Sequence, residues 1–384
     1  MNPEQFYVSC PRGLESALAD ELRELRCTVG ALAHAGVSVE GSIADAYRIN
    51  LHSRIASRVL WRIGGRSYRN EQDIYDAAMG IDWPSLFDVG RTVAVKVDAQ
   101  RSPLRSLDFI ALRVKDAICD RFRAATGRRP DVDTRTPDIR VHVFLDAQQA
   151  TLYVDTSGKP LFQRGYREFG GDAPLRQNLA AGLLRLAQWN PAEALLDPMC
   201  GSATILIEAG LQALNIAPGI AREFAFEKLH NFDAPGWGAQ RQDARARAIP
   251  TMPLAIYGSD LYGSVLDQAR ANIAAAGLGE VIELNQANAL EISAPAASGV
   301  VITNPPYGVR IGESATLAQF YPRFGDVLKR KFPGWRAYIL SADMQLPKLI
   351  RLKTTRRIPL YNGALDCRLF EYKLVAGSMR EPKD

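Results

Sequence analysis

Cysteine and histidine are scarce in this chain of 384 residues, which contains five cysteines and four histidines. The cysteines stand at positions 10, 27, 119, 200 and 367, so none of them forms a Cys-x-x-Cys pair. Structural zinc sites and disulfide frameworks need such residues at close spacing, and we expect neither here. The sequence therefore predicts a protein without a metal site, in the reducing environment of the cytoplasm.

Long apolar segments are also missing. No run approaches the ~20 residues that a membrane helix requires, and residues 1–5 lack the basic start and apolar stretch of a signal peptide. Apolar residues make up 47% of the chain and charged residues 23%, which is ordinary globular composition. We therefore expect no membrane association. Because the chain is too long for one ordinary domain, we expect two or three.

Two phosphate-binding motifs are absent from the turn that follows the apolar pair Leu195–Leu196. The turn has neither the Gly-x-Gly-x-x-Gly of dinucleotide folds nor the Gly-Lys-Ser/Thr of P-loop proteins. Residues 197–204 instead include Gly201 and several small side chains, which let a ligand approach the backbone closely. The turn therefore lacks both phosphate cradles, and by itself a single glycine after a strand is weak evidence for any ligand.

The chain divides into two regions of different pattern. Residues 1–160 mix both kinds of element: Ser42 caps a helix that runs through Leu51, and a helix over 107–125 precedes the alternating strands Ile139–Leu145 and Thr151–Asp155. From about residue 190, short apolar runs alternate with helical stretches, which predicts a parallel sheet with helices on both faces. These runs are Leu195–Leu196, Leu254–Gly258, Val281–Leu284, Val300–Thr303 and Ala337–Leu340, and residues 358–375 form a final strand pair.

Polar side chains follow successive strands of the predicted parallel sheet. Asp197 and Asp260 end the first and second strands, Asn288 lies just past the third, and Asn304 follows the fourth. The carboxyl ends of parallel strands meet at one edge, so we expect these side chains to converge on one crevice. Asp260 suits a ribose diol, and Asn288 could bind an adenine amine.

The turn Asn304-Pro305-Pro306-Tyr307 indicates a reaction at a planar nitrogen. An aromatic exocyclic amine is a poor nucleophile because its lone pair is delocalised into the ring. Bonds to the Asn304 side-chain oxygen and the Pro305 carbonyl would draw the nitrogen towards tetrahedral geometry, and Tyr307 would stack on the ring. The alternative is an ordinary strand-to-loop turn, since Asn and Pro favour turns. The turn has no cysteine for cytosine-C5 chemistry, so we expect Cys200 to be a packing residue.

A basic stretch covers residues 321–357, with ten Lys or Arg residues and only Asp326 and Asp343 as acids. Aromatic residues interleave with the cations, namely Tyr321, Phe324, Phe332, Trp335 and Tyr338. Basic and aromatic residues together suit a nucleic-acid surface. The alternative is a solvated helix face above core aromatics.

These residues together resemble the class I methyltransferases. Residues 152–161, running into 164–167, resemble the end of a THUMP domain and its linker, and residues 173–181 resemble the helix that opens the catalytic domain. The similarity to bacterial THUMP-domain 23S ribosomal RNA guanine-N2 methyltransferases, the RlmL-like family, covers nearly the whole chain. Such proteins are often labelled N6-adenine-specific DNA methylases because they share Asn-Pro-Pro-Tyr.

The resemblance implies the domain order. It predicts a ferredoxin-like element at 1–60, a THUMP RNA-binding domain at 61–160 that could begin near 45, and a methyltransferase domain at 161–384. The fold class is then a Rossmann-like α/β domain with a mainly parallel seven-stranded sheet, preceded by an α+β region. Some relatives carry a second methyltransferase domain, whose activity we do not expect here.

The resemblance also implies S-adenosylmethionine as cofactor and assigns candidate residues. The cofactor-binding candidates are Asp197, Cys200, Gly201, Ser202, Thr204, Asp260, Leu261, Asn288 and Ala289. The catalytic candidates are Asn304, Pro305, Pro306 and Tyr307, and the RNA-binding candidates are Arg351, Lys353, Arg356 and Arg357. Three positions depart from the family pattern: Ala203 where Gly is usual, Asn288 where Asp is common, and Gln177 where an acid is frequent.

The predicted function is methyl transfer to the N2 amine of a guanine in 23S ribosomal RNA or its precursor. An N6-adenine DNA methyltransferase has the same turn and cofactor, but its recognition modules usually lie within or after the catalytic domain. A protein-glutamine methyltransferase shares the turn but not the THUMP-like segment. A non-catalytic RNA-binding or ribosome-assembly protein remains the alternative from a different class. The sequence leaves the modified nucleotide and the oligomeric state open.

Overall fold

The fold is known from a computed structural model, which describes residues 3–167, 175–306 and 313–375 and, in the last range, side chains from 318 onward. The strands are β1 Glu4–Ser9, β2 Thr28–Ala33, β3 Gly36–Gly41, β4 Arg58–Ser67, β5 Val93–Ala99, β6 Ile139–Leu145, β7 Gln149–Asp155, β8 Ala194–Asp197, β9 Ile256–Asp260, β10 Glu283–Gln286, β11 Gly299–Thr303, β12 Arg336–Ser341, β13 Thr354–Asn362 and β14 Leu365–Lys373.

The α-helices are α1 Glu15–Glu24, α2 Ile43–His52, α3 Glu71–Met79, α4 Trp83–Leu86, α5 Leu107–Thr126, α6 Gln177–Leu186, α7 Thr204–Ala213, α8 Ala234–Ala246, α9 Gly263–Ala275, α10 Glu313–Lys331 and α11 Leu346–Leu349, and a 3₁₀ turn covers Ala225–Lys228. None of these described helices combines the length and apolar character needed to cross a membrane.

The chain forms two compact units. Unit 1 comprises residues 1–10, 18–161 and 221–243, and unit 2 comprises residues 11–17, 162–220 and 244–384. Each unit is built on one seven-stranded sheet of the described residues. The mixed α+β region and the strand–helix alternation predicted from the sequence correspond to these two sheets.

The sheet of unit 1 has the order β2-β3-β1-β4-β7-β6-β5. Strand β4 pairs with β1 on one side and with β7 on the other, so the segments predicted to be the ferredoxin-like element and the THUMP domain share a continuous sheet. The predicted domain boundary at residue 60 falls inside β4. The capping box predicted at Ser42 is present, since its hydroxyl accepts the Asp45 N–H and Asp45 accepts the Ser42 N–H.

Residues 221–243 lie in unit 1 although the sequence places them within the predicted methyltransferase domain. The aromatic ring of Phe226 packs on Tyr47 at 4.3 Å and on Trp237 at 5.1 Å between centroids. Arg222 donates to the carbonyls of Lys159 at 2.6 Å and Pro160 at 2.8 Å. This segment therefore supplies part of the core of unit 1.

The sheet of unit 2 has the order β10-β9-β8-β11-β12-β14-β13. Strands β10, β9, β8, β11 and β12 run parallel, and β14 and β13 complete the sheet as an antiparallel pair. The prediction of a mainly parallel sheet is confirmed. Strand β9 extends to Asp260 and β13 begins at Thr354, because backbone pairing includes polar residues that an apolar pattern does not mark.

The aromatic residues of the basic stretch lie in the core of unit 2. Tyr321, Phe324, Phe332, Trp335 and Tyr338 are each at most 1% exposed. Tyr321, Phe324, Phe332 and Trp335 belong to one core cluster with residues such as Val301 and Phe370. Tyr338 is buried apart from this cluster, and its hydroxyl donates to Glu371 on β14 at 3.1 Å. The hypothesis that these rings form part of a nucleic-acid surface is therefore wrong, because a buried ring cannot stack on a base.

Candidate active site

Parallel pairing brings the candidate residues of unit 2 to one edge of its sheet. Asp197, at the end of β8, pairs with Gly258 of β9, two residues before Asp260. Strand β11 pairs with the other side of β8, and Asn304 follows β11 directly. Asn288 lies two residues beyond β10, which pairs with β9. The carboxyl ends of four neighbouring strands thus carry the four polar residues predicted to converge.

The turn after β8 is bound directly to the end of β9. The Gly201 N–H donates to Asp260 Oδ2 at 3.1 Å, and the Cys200 N–H donates to the Ser259 carbonyl at 2.9 Å. Asp260 Oδ1 also accepts the Tyr262 N–H at 3.3 Å. Each carboxylate oxygen has a further lone pair, so Asp260 can accept both hydroxyls of a ribose diol.

Two positions of the turn have left-handed backbone. Gly201 has φ +53°, and a Cβ added there would meet no described atom within 4 Å. Ala203 has φ +61° and precedes α7, so an L side chain occupies a conformation that glycine adopts at lower cost. The turn is thus formed with Ala203 where the family pattern has Gly, and the described atoms leave open space at Gly201.

Close packing of α7 on β9 depends on Gly258. A Cβ at this position would lie 2.3 Å from Leu206 Cδ1 and 3.4 Å from Cys200 Sγ. Cys200 is 7% exposed, and burial raises the pKa of its thiol well above the ordinary value. A protonated, packed thiol is a poor nucleophile, which agrees with the packing role predicted for Cys200.

Asp197 is 2% exposed, and burial raises the pKa of its carboxyl to about 7. The Thr303 hydroxyl and the Met199 N–H, which is 3.2 Å from Asp197 Oδ1, oppose this shift, and the charge of Asp260 adds to it. Two acidic groups therefore act on each other at the base of the turn. The buried one favours its neutral form, whereas the half-buried Asp260 receives two backbone N–H groups.

The remaining cofactor candidates differ in exposure. Leu261 is 52% exposed, Ala289 is buried, and Asn288 is half-buried. Asn288 Oδ1 accepts the Leu290 N–H at 3.0 Å, so contact with an adenine amine would use its second lone pair.

The catalytic turn is described only in part. Asn304 is half-buried, Pro305 is buried and Pro306 is exposed, and Thr303 before them is fully buried. Tyr307 lies outside the described residues, so its predicted stacking role stays a prediction.

Sequence reasoning assigned no role to Arg167 at this site. Its Nη2 donates to Thr204 Oγ1 at 2.6 Å and to the Leu175 carbonyl at 2.7 Å. The Thr204 hydroxyl in turn lies 3.2 Å from the Ser202 hydroxyl. Arg167 stands 37 residues before Thr204, and no local pattern signals a contact over such a separation.

The predicted RNA-binding cations are exposed on unit 2. Arg356 and Arg357 lie on β13, which ends the sheet, and Arg351 and Lys353 precede this strand. Arg356 is 50% exposed and its Nε lies 3.7 Å from Glu371 Oε2. An exposed edge strand with several cations can meet a phosphate backbone.

The sheet order of unit 2 and the polar residues at its carboxyl edge define a class I methyltransferase domain. Residues 164–371 match the family described as RMKL-like methyltransferase domain, residues 68–155 match the THUMP domain, and residues 5–60 match the RlmL ferredoxin-like domain. The chain belongs to the RMKL-like methyltransferase family, and its cofactor is S-adenosylmethionine.

Relatives of known name support this membership. The chain is 40% identical to slr0064 of Synechocystis, which carries an RNA methyltransferase name, over 96% of both chains. It is 39% identical to the ribosomal RNA large subunit methyltransferase K/L of Shewanella frigidimarina, over 98% of this chain but 53% of the relative. The chain thus spans about half the length of its K/L relatives.

The structure of SMU.472 in complex with SAH matches 98% of this chain and 100% of the other, with 28% identity and a TM-score of 0.88. The residues present here fit S-adenosylmethionine: Gly201 faces open space, Asp260 has free acceptor capacity for a diol, and neither a phosphate cradle nor a metal is needed. The turn at 197–204 and Asp260 therefore form the proposed cofactor site.

Proposed function

We propose that this protein transfers a methyl group from S-adenosylmethionine to the exocyclic N2 amine of a guanine in 23S ribosomal RNA. The observation that carries the proposal is the position of Asn304. It stands directly after β11, which is paired with the strand that ends in Asp197. The target amine and the methyl donor would then meet at one edge of the sheet, without a covalent intermediate on the enzyme.

The chain's own residues would position the reactants. Asp260 would hold the ribose of the cofactor, whereas the Asn304 side-chain oxygen and the Pro305 carbonyl would accept hydrogen bonds from the amine. When bound, S-adenosylmethionine supplies an electrophilic methyl group whose bond to sulfur breaks as the bond to nitrogen forms. The amine loses its proton late, so the reaction needs placement and acceptors more than a strong base.

RNA as the substrate class rests on three kinds of support. Residues 68–155 match the THUMP domain, the K/L relatives are named for ribosomal RNA, and exposed cations lie along the edge strand β13. The choice of guanine N2 rests on the family resemblance of the sequence. We propose that Arg351, Lys353, Arg356 and Arg357 contact the RNA backbone along the path to the pocket.

Asn304→Ala tests the chemistry. We expect methylation of ribosomal RNA in vitro to fall by about a hundredfold or more, the scale of losing one positioned hydrogen-bond partner in the transition state. Binding of S-adenosylhomocysteine by calorimetry should stay within about twofold, because Asn304 is not a cofactor residue. Asn362→Ala, at the last residue of β13, is the matched control, because Asn362 is also half-buried. A near-normal methylation rate for Asn304→Ala refutes the mechanism.

The target is tested by mass spectrometry of ribosomal RNA nucleosides from cells with and without the gene. Loss of N2-methylguanosine supports the proposal. Loss of N6-methyladenosine instead would move the assignment to an adenine methyltransferase. If the purified protein fails to bind S-adenosylhomocysteine, the non-catalytic alternative is favoured.

A further inference from the structure

Arg167 reaches the cofactor turn from a distant part of the chain. Its side chain is half-buried, and one nitrogen, Nη2, bridges Thr204 Oγ1 at 2.6 Å and the Leu175 carbonyl at 2.7 Å. Burial lowers the pKa of this guanidinium, but arginine stays protonated in proteins. The contact therefore brings a permanent positive charge to the first residue of α7.

The segment that carries Arg167 is anchored on the same helix. The Tyr166 hydroxyl donates to Glu208 Oε1 at 3.0 Å, and Arg164 Nε lies 3.5 Å from the same oxygen. Glu208 is fully buried on α7, one turn after Thr204. Two contacts to Glu208 and one to Thr204 thus fix residues 164–167 along the first turns of α7. Arg167 therefore has little freedom to leave Thr204.

Arg167 sets the direction of the hydrogen bond to Thr204, because a guanidinium can only donate. Arginine can only donate, so Thr204 Oγ1 accepts from Arg167 and its own proton is available to another acceptor. The Ser202 hydroxyl lies 3.2 Å away, and the Ser202 carbonyl accepts from Asn272 Nδ2 at 3.2 Å. A donor bonded to a hydroxyl oxygen strengthens the hydrogen bond that this hydroxyl donates. In this order the buried Thr204 hydroxyl gives its proton to Ser202 Oγ, and the half-buried Ser202 hydroxyl, next to Gly201, is left as the donor for a ligand.

The chemistry of S-adenosylmethionine indicates which end of the cofactor would bind here. In the proposed site, Asp260 on β9 and Asn288 after β10 would take the ribose and adenine. The amino-acid end of the cofactor carries its carboxylate, which needs hydrogen-bond donors and a nearby positive charge. On the α7 side of the turn, Ser202 would provide the donor, which Thr204 orients, and Arg167 would provide the positive charge.

We propose that Arg167 is a positioning residue for the amino-acid end of the cofactor, acting through the hydroxyls of Thr204 and Ser202. The inference rests on the proposed cofactor site at residues 197–204. Arg167 is not itself a catalytic residue: it fixes the direction of the hydroxyl donors and adds positive charge to the part of the crevice that would receive a carboxylate.

Two ligands and one substitution separate positioning from general stability. Arg167→Met keeps an extended apolar stem but removes the charge and the donors. Calorimetry should show at least about a tenfold loss of affinity for S-adenosylhomocysteine, as for a lost hydrogen bond to a charged group. Affinity for 5′-methylthioadenosine, which lacks the amino-acid chain, should change less than about twofold, because none of its groups would meet these donors. With RNA, KM for the methyl donor should rise while kcat at saturation is retained.

Control variants test the contact itself. Arg176→Met, at an exposed position before α6, removes the same group nearby and should leave both affinities unchanged. Arg167→Lys should recover part of the loss, because lysine keeps one donor and the charge. Thr204→Val combined with Arg167→Met should cost little more than either alone, since both break the same chain of donors.

Equal binding of S-adenosylhomocysteine by Arg167→Met and the wild type overturns the inference. An equal loss for both ligands also overturns it, because the turn would then have collapsed as a whole. If Arg167→Met does not fold, the comparison of the two ligands with Arg167→Lys and Thr204→Val decides in the same way. Failure of the wild type to bind S-adenosylhomocysteine would instead contradict the proposed function.

Discussion

Replacement of Asp197 by Asn should change how the stability of unit 2 depends on pH. The carboxyl is 2% exposed, and its burial raises the pKa from the ordinary 3.8 to about 7. A raised carboxyl pKa means that the fold prefers the neutral acid. Ionisation therefore destabilises the fold: the cost is absent below the unfolded pKa, grows as pH rises from 3.8 to 7, and is complete above 7.

The magnitude follows from the size of the shift. One pKa unit corresponds to about 1.4 kcal/mol, so the full cost of ionising Asp197 is about 4 kcal/mol above neutral pH. About 2 kcal/mol of this is already present at pH 5, because the unfolded carboxyl is mostly ionised there. Asparagine keeps the shape of the neutral acid and does not titrate. The stability of the variant relative to the wild type should thus rise by about 2–3 kcal/mol between pH 5 and 8.

Urea unfolding of the cofactor-free protein at several pH values measures this difference. Titrating groups that do not interact with Asp197 are shared and cancel in the comparison of variant and wild type, whereas Asp260, whose charge acts on Asp197, contributes to the difference. Asp326→Asn, at an exposed position of α10, is the matched control and should give a constant difference across the range. If the free energy of unfolding of Asp197→Asn also differed from that of the wild type by the same amount at every pH, the reasoning would be refuted. The buried carboxyl would then not be the source of the pH dependence.

Three further predictions concern binding and packing. Alanine at all four RNA-binding candidates should make RNA affinity less salt-dependent, by a slope of about 0.7 for each lost phosphate contact; an unchanged slope would identify a merely solvated face. Gly299→Ala should lower the free energy of unfolding by about 1–3 kcal/mol, since the new Cβ would lie 2.5 Å from the Ala194 carbonyl oxygen and 2.8 Å from the Trp335 ring; wild-type stability in urea would contradict this. Phe226→Ala should destabilise unit 1 by about 3–5 kcal/mol, and a smaller loss than in exposed Phe109→Ala would show that segment 221–243 is not part of its core.

Elements with a strong local signal were predictable from the sequence. Ser42 begins α2 through a capping box, and the helix predicted over 107–125 is α5, Leu107–Thr126. The strands of the parallel sheet were also recognisable, because strands buried on both faces are continuous apolar runs. Convergence of Asp197, Asp260 and Asn304 followed from these strands alone, since parallel pairing leaves little freedom in where their carboxyl ends lie.

Features that depend on contacts between distant residues were not predictable in this way. The aromatic residues at 321–338 have the same local pattern whether they stack on bases or fill a core, and only their burial in the folded domain shows that they are core residues. Segment 221–243 gave no sign that it belongs to unit 1, because its aromatic side chains find their partners, such as Tyr47, far away in the sequence.

The sequence by itself determined the class of protein and the residue types at its site, because the strand ends and the Asn304 turn are local patterns. Tertiary structure decided which groups act on those residues. It placed Asp197 where burial shifts its pKa, and it brought Arg167 to Thr204. The physical reason is that burial and electrostatic contact depend on which surfaces pack together, and a linear pattern does not contain that information.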